Sequence, residues 1–381
     1  MQRLASLICL TCLFLCCGSK QLEVERIIED GVEVVLNHIE PYEIKGEPLN
    51  LILEQEYIID MELDAIGEIG LNSPENFVVD SLGCTYFQNN QRASEYHLYK
   101  FDNNGKYVGR FGKSGQGPGE IGMSLSLAIN TNDEVFILDF VRKRLLRFSS
   151  EGALIEERPI DVDIVGIEPL SNENYLVSRL KVDEDDRRFV KSVCNSELEV
   201  IREVGSQAQP SGKEKWNAVR NIFMISVASE SLYLLNAERG YEILELDLTG
   251  KLLKKIRKQH NSVPVTEEYK RQRMSGLTSE QQERYYFPEA FPPIQYIFSD
   301  EAGRLYVMTY QKSQDAKAYV YNVFNADGVF IRNISLGNIG KIGPNQIDTP
   351  LHVKSRAGNI YLLRTKDSGY LELVVYKMIW Q

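Results

Sequence analysis

Residues 98–157 run LYKFDNNGKYVGRFG (98–112), KSGQGPGEIG (113–122), LAINTNDEVFILD (127–139) and LLRFSSEGALIEE (145–157). Each apolar run is short, rich in Val, Ile, Leu, Phe and Tyr, and cut by Asn104-Gly105, Asn132-Asp133 or Glu151-Gly152. Those breaks supply the tight turns of antiparallel strands, because Asn, Asp and Gly reach backbone conformations that other side chains resist. The stretch therefore reads as the outer hairpin of one small sheet, a glycine-rich crossing, and the hairpins of the next sheet.

The same pattern extends in both directions. Gly67-Glu68-Ile69-Gly70 returns fifty-two residues later as Gly119-Glu120-Ile121-Gly122, each time ahead of a strand–turn–strand, and GNIGKIGP (337–344) is a fainter echo. Recurrence of one connection at this period marks stacked sheet units. Turn signals at 81–83, 132–133, 171–174, 229–231, 301–303 and 356–358 give six inner turns. Those at 103–105, 150–152, 195–196, 248–250 and 326–328 give five outer ones. One outer strand is missing at the end, where LELVVYKMIW (371–380) has no successor, while LILEQEYIIDM (51–61) has no partner of its own. Pairing the two closes a ring and removes two exposed edges.

The expected fold is all-β: a six-bladed β-propeller of four-stranded antiparallel blades over 51–381, closed by an N-terminal strand. A helical insertion at 266–286, broken near Ser275-Gly276, falls between blades four and five. Ahead of the ring, VERIIEDGVEVVLNH (24–38) predicts a hairpin at Asp30-Gly31 within a linker spanning 18–50.

The chain has 381 residues, 43% hydrophobic and 25% charged, enough for a large core in an ordinary soluble composition. Its formal net charge of -11 and the lack of a basic, aromatic-interleaved stripe argue against nucleic acid as a partner. Residues 1–17 read as a signal peptide, with Arg3 followed by an apolar run from Leu4 to Cys17 that is short for a membrane span. Ending that run in Cys16-Cys17-Gly18-Ser19 resembles a bacterial lipoprotein signal, with Cys17 the favoured lipidated residue and Cys16 the alternative. The expectation is a protein of the cell envelope, held to the membrane by a lipid anchor only. Beyond the signal only Cys84 and Cys194 remain, in different repeats, so two separate thiols are expected. No CxxC or metal-spaced Cys/His cluster is present, and neither a cofactor nor a metal is expected.

EDGVEVVLN (29–37), GKSGQGPGE (112–120), the D-x4-R-L-x-R-F run at 139–148 and FSDEAGRLYV (298–307) resemble the NHL-like six-bladed propeller lipoproteins of Bacteroidota-type bacteria. The resemblance implies the fold and export, and little about activity, because propellers host many functions. It also implies that Asp139 bonds neighbouring backbone or an Arg and so ties adjacent turns. Lyase-type NHL enzymes use a histidine-held metal in the channel. Here the four histidines, His38, His97, His260 and His352, share no ligand spacing.

Glycines of the crossing could present amides to an anion. The segment leads into a strand rather than a helix, so Gly112, Gly115, Gly117 and Gly119 are assigned to the crossing itself, together with Glu120, Asp139 and Arg144. The acidic run 183–186 matches no calcium loop and reads as a solvated turn. Tyr285, Tyr286, Phe287 and Phe291 cluster at the end of the insertion, either as a plug holding it down or as a binding face. With His352, on the last inner strand, they are the candidate ligand-binding residues; no catalytic residue stands out. The expected function is a monomeric ligand-binding or scaffolding module for a glycan, peptide or envelope protein. Its site is expected at the channel mouth on the face carrying the insertion. The alternative is a hydrolase or lyase acting on a glycan or peptide at the channel.

Overall fold

In the computed structural model the described residues are 23–48, 50–89, 95–183, 186–210, 214–219, 222–314, 318–336 and 352–381. The signal region with Cys17, and the echo at 337–344, lie outside them. Six antiparallel sheets follow one another along the chain at 74–113, 124–159, 164–208, 223–258, 296–335 and 352–380, the last completed by Leu51–Asp60. That strand pairs with Leu371–Trp380 in antiparallel register from Leu51 opposite Trp380 to Asp60 opposite Glu372. The first strand thus closes the ring on the last sheet.

Sheets packed on both sides bury both faces of their middle strands, which explains why these read as continuous apolar runs. Val135–Asp139 is buried at every position, whereas the outermost strand Leu154–Pro159 is not buried at any. Phe77, Phe87 and Phe101 of blade one pack with Ile59, Leu363 and Leu373 of blade six, so the closing joint has a core like the others.

Turns share one device. Asp102, Asn130, Asn195, Asp247, Asp300 and Asn325 each accept amides two and four residues ahead through Oδ1. Short Asx side chains are suited to this local bonding. Within each blade the first–second and third–fourth turns lie at one end, here the turn face. Second–third turns and the connections between blades lie at the other, the crossing face.

Two features depart from the expected plan. Blade four has six strands, because the hairpin Glu25–Glu29/Val32–Asn37 docks on its outer edge. Val32–Asn37 runs parallel to Leu252–Lys258, covering the edge, and Arg257 and Lys255 hold Glu29 at 2.6 and 3.3 Å. Trp216–Asn217 and Tyr285–Tyr286 also form a two-residue parallel pair that stitches two crossings together. The insertion is the expected broken helix pair, Glu267–Met274 and Ser279–Gln282, capped by Thr266 and by a Thr278 capping box. Among the described residues no helix is long and apolar enough to cross a membrane.

Candidate functional site: the central channel

Six inner strands enclose a cavity of about 610 Å³. Its lining comes from the turn-face half of those strands, and Asn130, Ser171, Ser229, Glu301 and Arg356 rim it. Ties between neighbouring turns hold this rim. Ser81 donates to Asp133 at 2.5 Å, Ser171 to the Ser229 carbonyl at 2.6 Å, and the Ala357 and Gly358 amides to Glu301 at 2.9 and 3.1 Å. A rim fastened blade to blade keeps the cavity preformed.

Among the described residues three carboxylates line it, in different states. Asp300 is consumed by the Ala302 and Arg304 amides and the Tyr306 hydroxyl, the last at 2.8 Å. Glu301 is spent on blade six. Glu168 of blade three has no hydrogen-bond or ion-pair partner among the described residues. Lys191, behind it in the same blade, donates to Ser178 at 3.0 Å. Burial pushes that ammonium's pKa down, and the field of Glu168 opposes the shift. Across the ring, blade six contributes Lys354 and Arg356, also without described partners. The cavity therefore carries an uncommitted anion on one wall and two uncommitted cations on the opposite one.

The glycine-rich crossing is already occupied by the chain itself. Glu120 folds back to accept the Gly117 amide at 2.8 Å, and Glu157 accepts that of Gly119 at 3.1 Å. A Cβ at Gly115 would lie 1.9 Å from the Glu120 carboxylate, so the loop fits that side chain and no exogenous anion. Gly112, with φ of +68°, packs against Ile121. Asp139 accepts the Gly122 and Met123 amides at 2.9 and 3.2 Å, and Arg144 bridges Asp139, Glu157 and the Glu120 carbonyl.

The aromatic cluster is divided. Phe291 stacks on Tyr310 at 4.2 Å and meets Tyr269 edge-on, and with Phe287 it covers Val219 and Val265. Tyr285, half-buried, lies beside Trp216, and Tyr286 is exposed beside Asn217. None of the four lines the channel cavity. Their packing is that of a plug, and the cavity opens on the face opposite the insertion, contrary to the expected placement. Phe291 does border a second cavity, of about 20 Å³, with Tyr241, Lys258 and His260. That is room for about one water. His352 opens the first strand of blade six, opposite Leu363; its side chain lies outside the described part. His97 is buried against Ser114 at 2.9 Å, Cys84 and Cys194 are free thiols, and the described residues include no cluster of metal-binding type.

Glu168, Lys354 and Arg356 were not among the residues picked from sequence. The available signal was a charge next to a turn in an otherwise inward-facing strand, IVGIEP and HVKSR.

This arrangement defines a six-bladed β-propeller with a preformed channel cavity. Residues 76–328 match DUF5128, described as a 6-bladed beta-propeller, and the chain belongs to that family. Comparison with curated proteins gives no match. Among solved structures, a protein described as exported from Bacteroides fragilis is similar at 13% identity and a TM-score of 0.52, covering 91% of this chain and 99% of that one. A DUF4221 family member from Bacteroides vulgatus is similar at 10% identity and a TM-score of 0.48, covering 87% and 99%. At these identities the likeness concerns the fold alone.

Proposed function

We propose that the chain is an exported, lipid-anchored ligand-binding propeller of the bacterial cell envelope, acting as a monomer and holding its ligand in the turn-face half of the channel. The observation that carries this reading is the single uncommitted carboxylate there among the described residues. Hydrolysis of a glycosidic bond uses two carboxyl groups about 5–10 Å apart. Of the three lining this cavity, two are tied to backbone and only Glu168 is available. An anion facing two cations suits a ligand with donors at one end and acceptors at the other, a short peptide before a neutral glycan. Export and anchoring rest on the apolar run ending in Cys16-Cys17-Gly18, and export also on the likeness to the Bacteroides fragilis protein described as exported.

The test is a thermal-shift screen of short peptides, glycans and divalent ions, since a ligand bound only by the folded state raises its melting temperature. The stabilisation should vanish in Glu168→Gln and in Lys354→Met, with unliganded melting unchanged. A ligand whose effect survives both substitutions places the site elsewhere. Turnover of the ligand on incubation would favour the enzymatic alternative.

A further inference from the structure

We infer that the crossing face is a lipid-contact surface: the propeller lies with that face against the bilayer and its channel cavity opening away from it. One leg of this rests on the anchoring reading just given; the other does not. Exposed large apolar side chains are distributed very unevenly between the two ends. The crossing face carries Val141, Val162, Val182, Trp216, Tyr286 and Tyr370, with Val162 74% and Val182 65% exposed. Among the described residues the turns of the opposite face carry one, Leu82, while Ile28, Val108 and Val200 are exposed on the strand ends beside those turns. Apolar residues scattered singly are normal on any surface. Six of them on the turns and connections of one end, including a tryptophan and two tyrosines, have the composition of a membrane–water interface. Exposed Lys215 and Arg284 flank the Trp216/Tyr285 pair, where they can meet anionic headgroups.

The second leg is where the chain enters the fold. Glu25 lies opposite Leu36, and the next residue, Asn37, lies beside Lys258, from which the chain leaves for the insertion. Seven residues separate Cys17 from Glu25, a reach of at most about 28 Å when fully extended. So short a tether holds the rim beside the insertion close to the lipid and leaves the turn face outermost.

The chain's two tryptophans make this testable. Trp216 is on the crossing face; Trp380 is on the turn face, half-buried and bonded to Tyr306 at 3.1 Å. The full chain, purified from membranes, is reconstituted in phosphatidylcholine–phosphatidylglycerol vesicles with brominated or ordinary acyl chains. Trp380→Phe, which leaves Trp216, should lose most of its emission to the brominated lipid. Trp216→Phe should lose none. Quenching of Trp380 to the same degree, or of neither, overturns the inference. An environment-sensitive fluorophore on Val162→Cys and on Leu82→Cys repeats the comparison at two exposed sites, in case Trp380→Phe disturbs folding. A blue shift is expected at 162 only, and its appearance at 82 or at neither overturns the inference. A chain that neither floats with vesicles nor is quenched by them overturns both the anchor and the inference, whereas one that floats with neither tryptophan quenched keeps the anchor and overturns the inference.

Discussion

Asp139, wholly buried, receives the Nε–H of Arg144 at 3.3 Å across the hairpin between the second and third strands of blade two. The same guanidinium reaches Glu157 and the Glu120 carbonyl, so one pair fastens the crossing to the blade it enters. Asp139→Ala strands the Gly122 and Met123 amides and leaves Arg144 half-compensated. The expected cost is about 3 kcal/mol, read by urea denaturation, whereas Asp133→Ala, on an exposed turn, should cost far less.

This pair also sets a direction with pH. Burial raises the Asp139 pKa, but the Gly122, Met123 and Arg142 amides with Arg144 outweigh it, and the net shift is downward. A depressed carboxyl gives stability that is present above its unfolded pKa of about 3.9 and is lost as pH falls through the folded value. Acid unfolding of the wild type should therefore be steeper below pH about 4 than that of Asp139→Ala, whose curve lacks this contribution. Equal steepness in equilibrium melts would mean the pair does not govern acid stability.

Lys258 works in the opposite pH range. Burial lowers its pKa to about 8, while its Nζ donates to the Ile39 and Gln259 carbonyls, both at 3.1 Å. The unfolded chain binds this proton more tightly, so stability rises as pH climbs from the folded pKa toward the unfolded one. Between pH 7.5 and 9.5 the gain should be about 1–2 kcal/mol, and it should be missing in Lys258→Met. Calorimetry at the two pH values decides the matter.

The ring was legible in the sequence because its turns are chemical. Asx and Gly residues at 102–105 or 300–303 fix a turn by local bonding and positive φ, and neither depends on distant partners. The closing strand was legible by count, since an unmatched run at 51–61 met a vacancy at 371–380. Docking of the first hairpin on blade four was not, because parallel pairing of Val34 with Lys255 leaves no turn or spacing to read. Glu168 and Lys354 were invisible for a related reason. Blades three and six face each other only once the ring is closed, and 186 positions separate the two residues in the chain. The aromatic cluster drew attention through composition, which does not distinguish a plug from a binding face. Phe291 on Tyr310 is settled by packing alone.

Packing between blades predicts a coupled pair at Gly152 and Phe111. Gly152 sits in the outer turn of blade two at φ +87°, and a Cβ there would lie 2.7 Å from the Phe111 ring of blade one. Gly152→Ala combines backbone strain with that clash and should cost about 2 kcal/mol. Phe111→Leu relieves the clash and leaves the strain. The double variant should thus be more stable than the sum of the two single losses by at least about 0.5 kcal/mol. Strict additivity in urea melts would show that the turn does not bear on the neighbouring blade.

Ring closure is tested at Ile59 and Leu373, opposed in register on the first strand and the last sheet and both buried. They share a core with Phe77 and Phe87 of blade one, so deleting either side chain opens a void at the one joint where the two ends of the ring meet. Ile59→Ala should cost about 3 kcal/mol. More tellingly, it should raise hydrogen exchange along 51–60 more than along 135–139, because Leu51–Asp60 is held to its sheet along a single edge. An equal rise in both segments would mean the ring opens only by global unfolding. A rise confined to 51–60 identifies the closing strand as the weakest seam of the propeller.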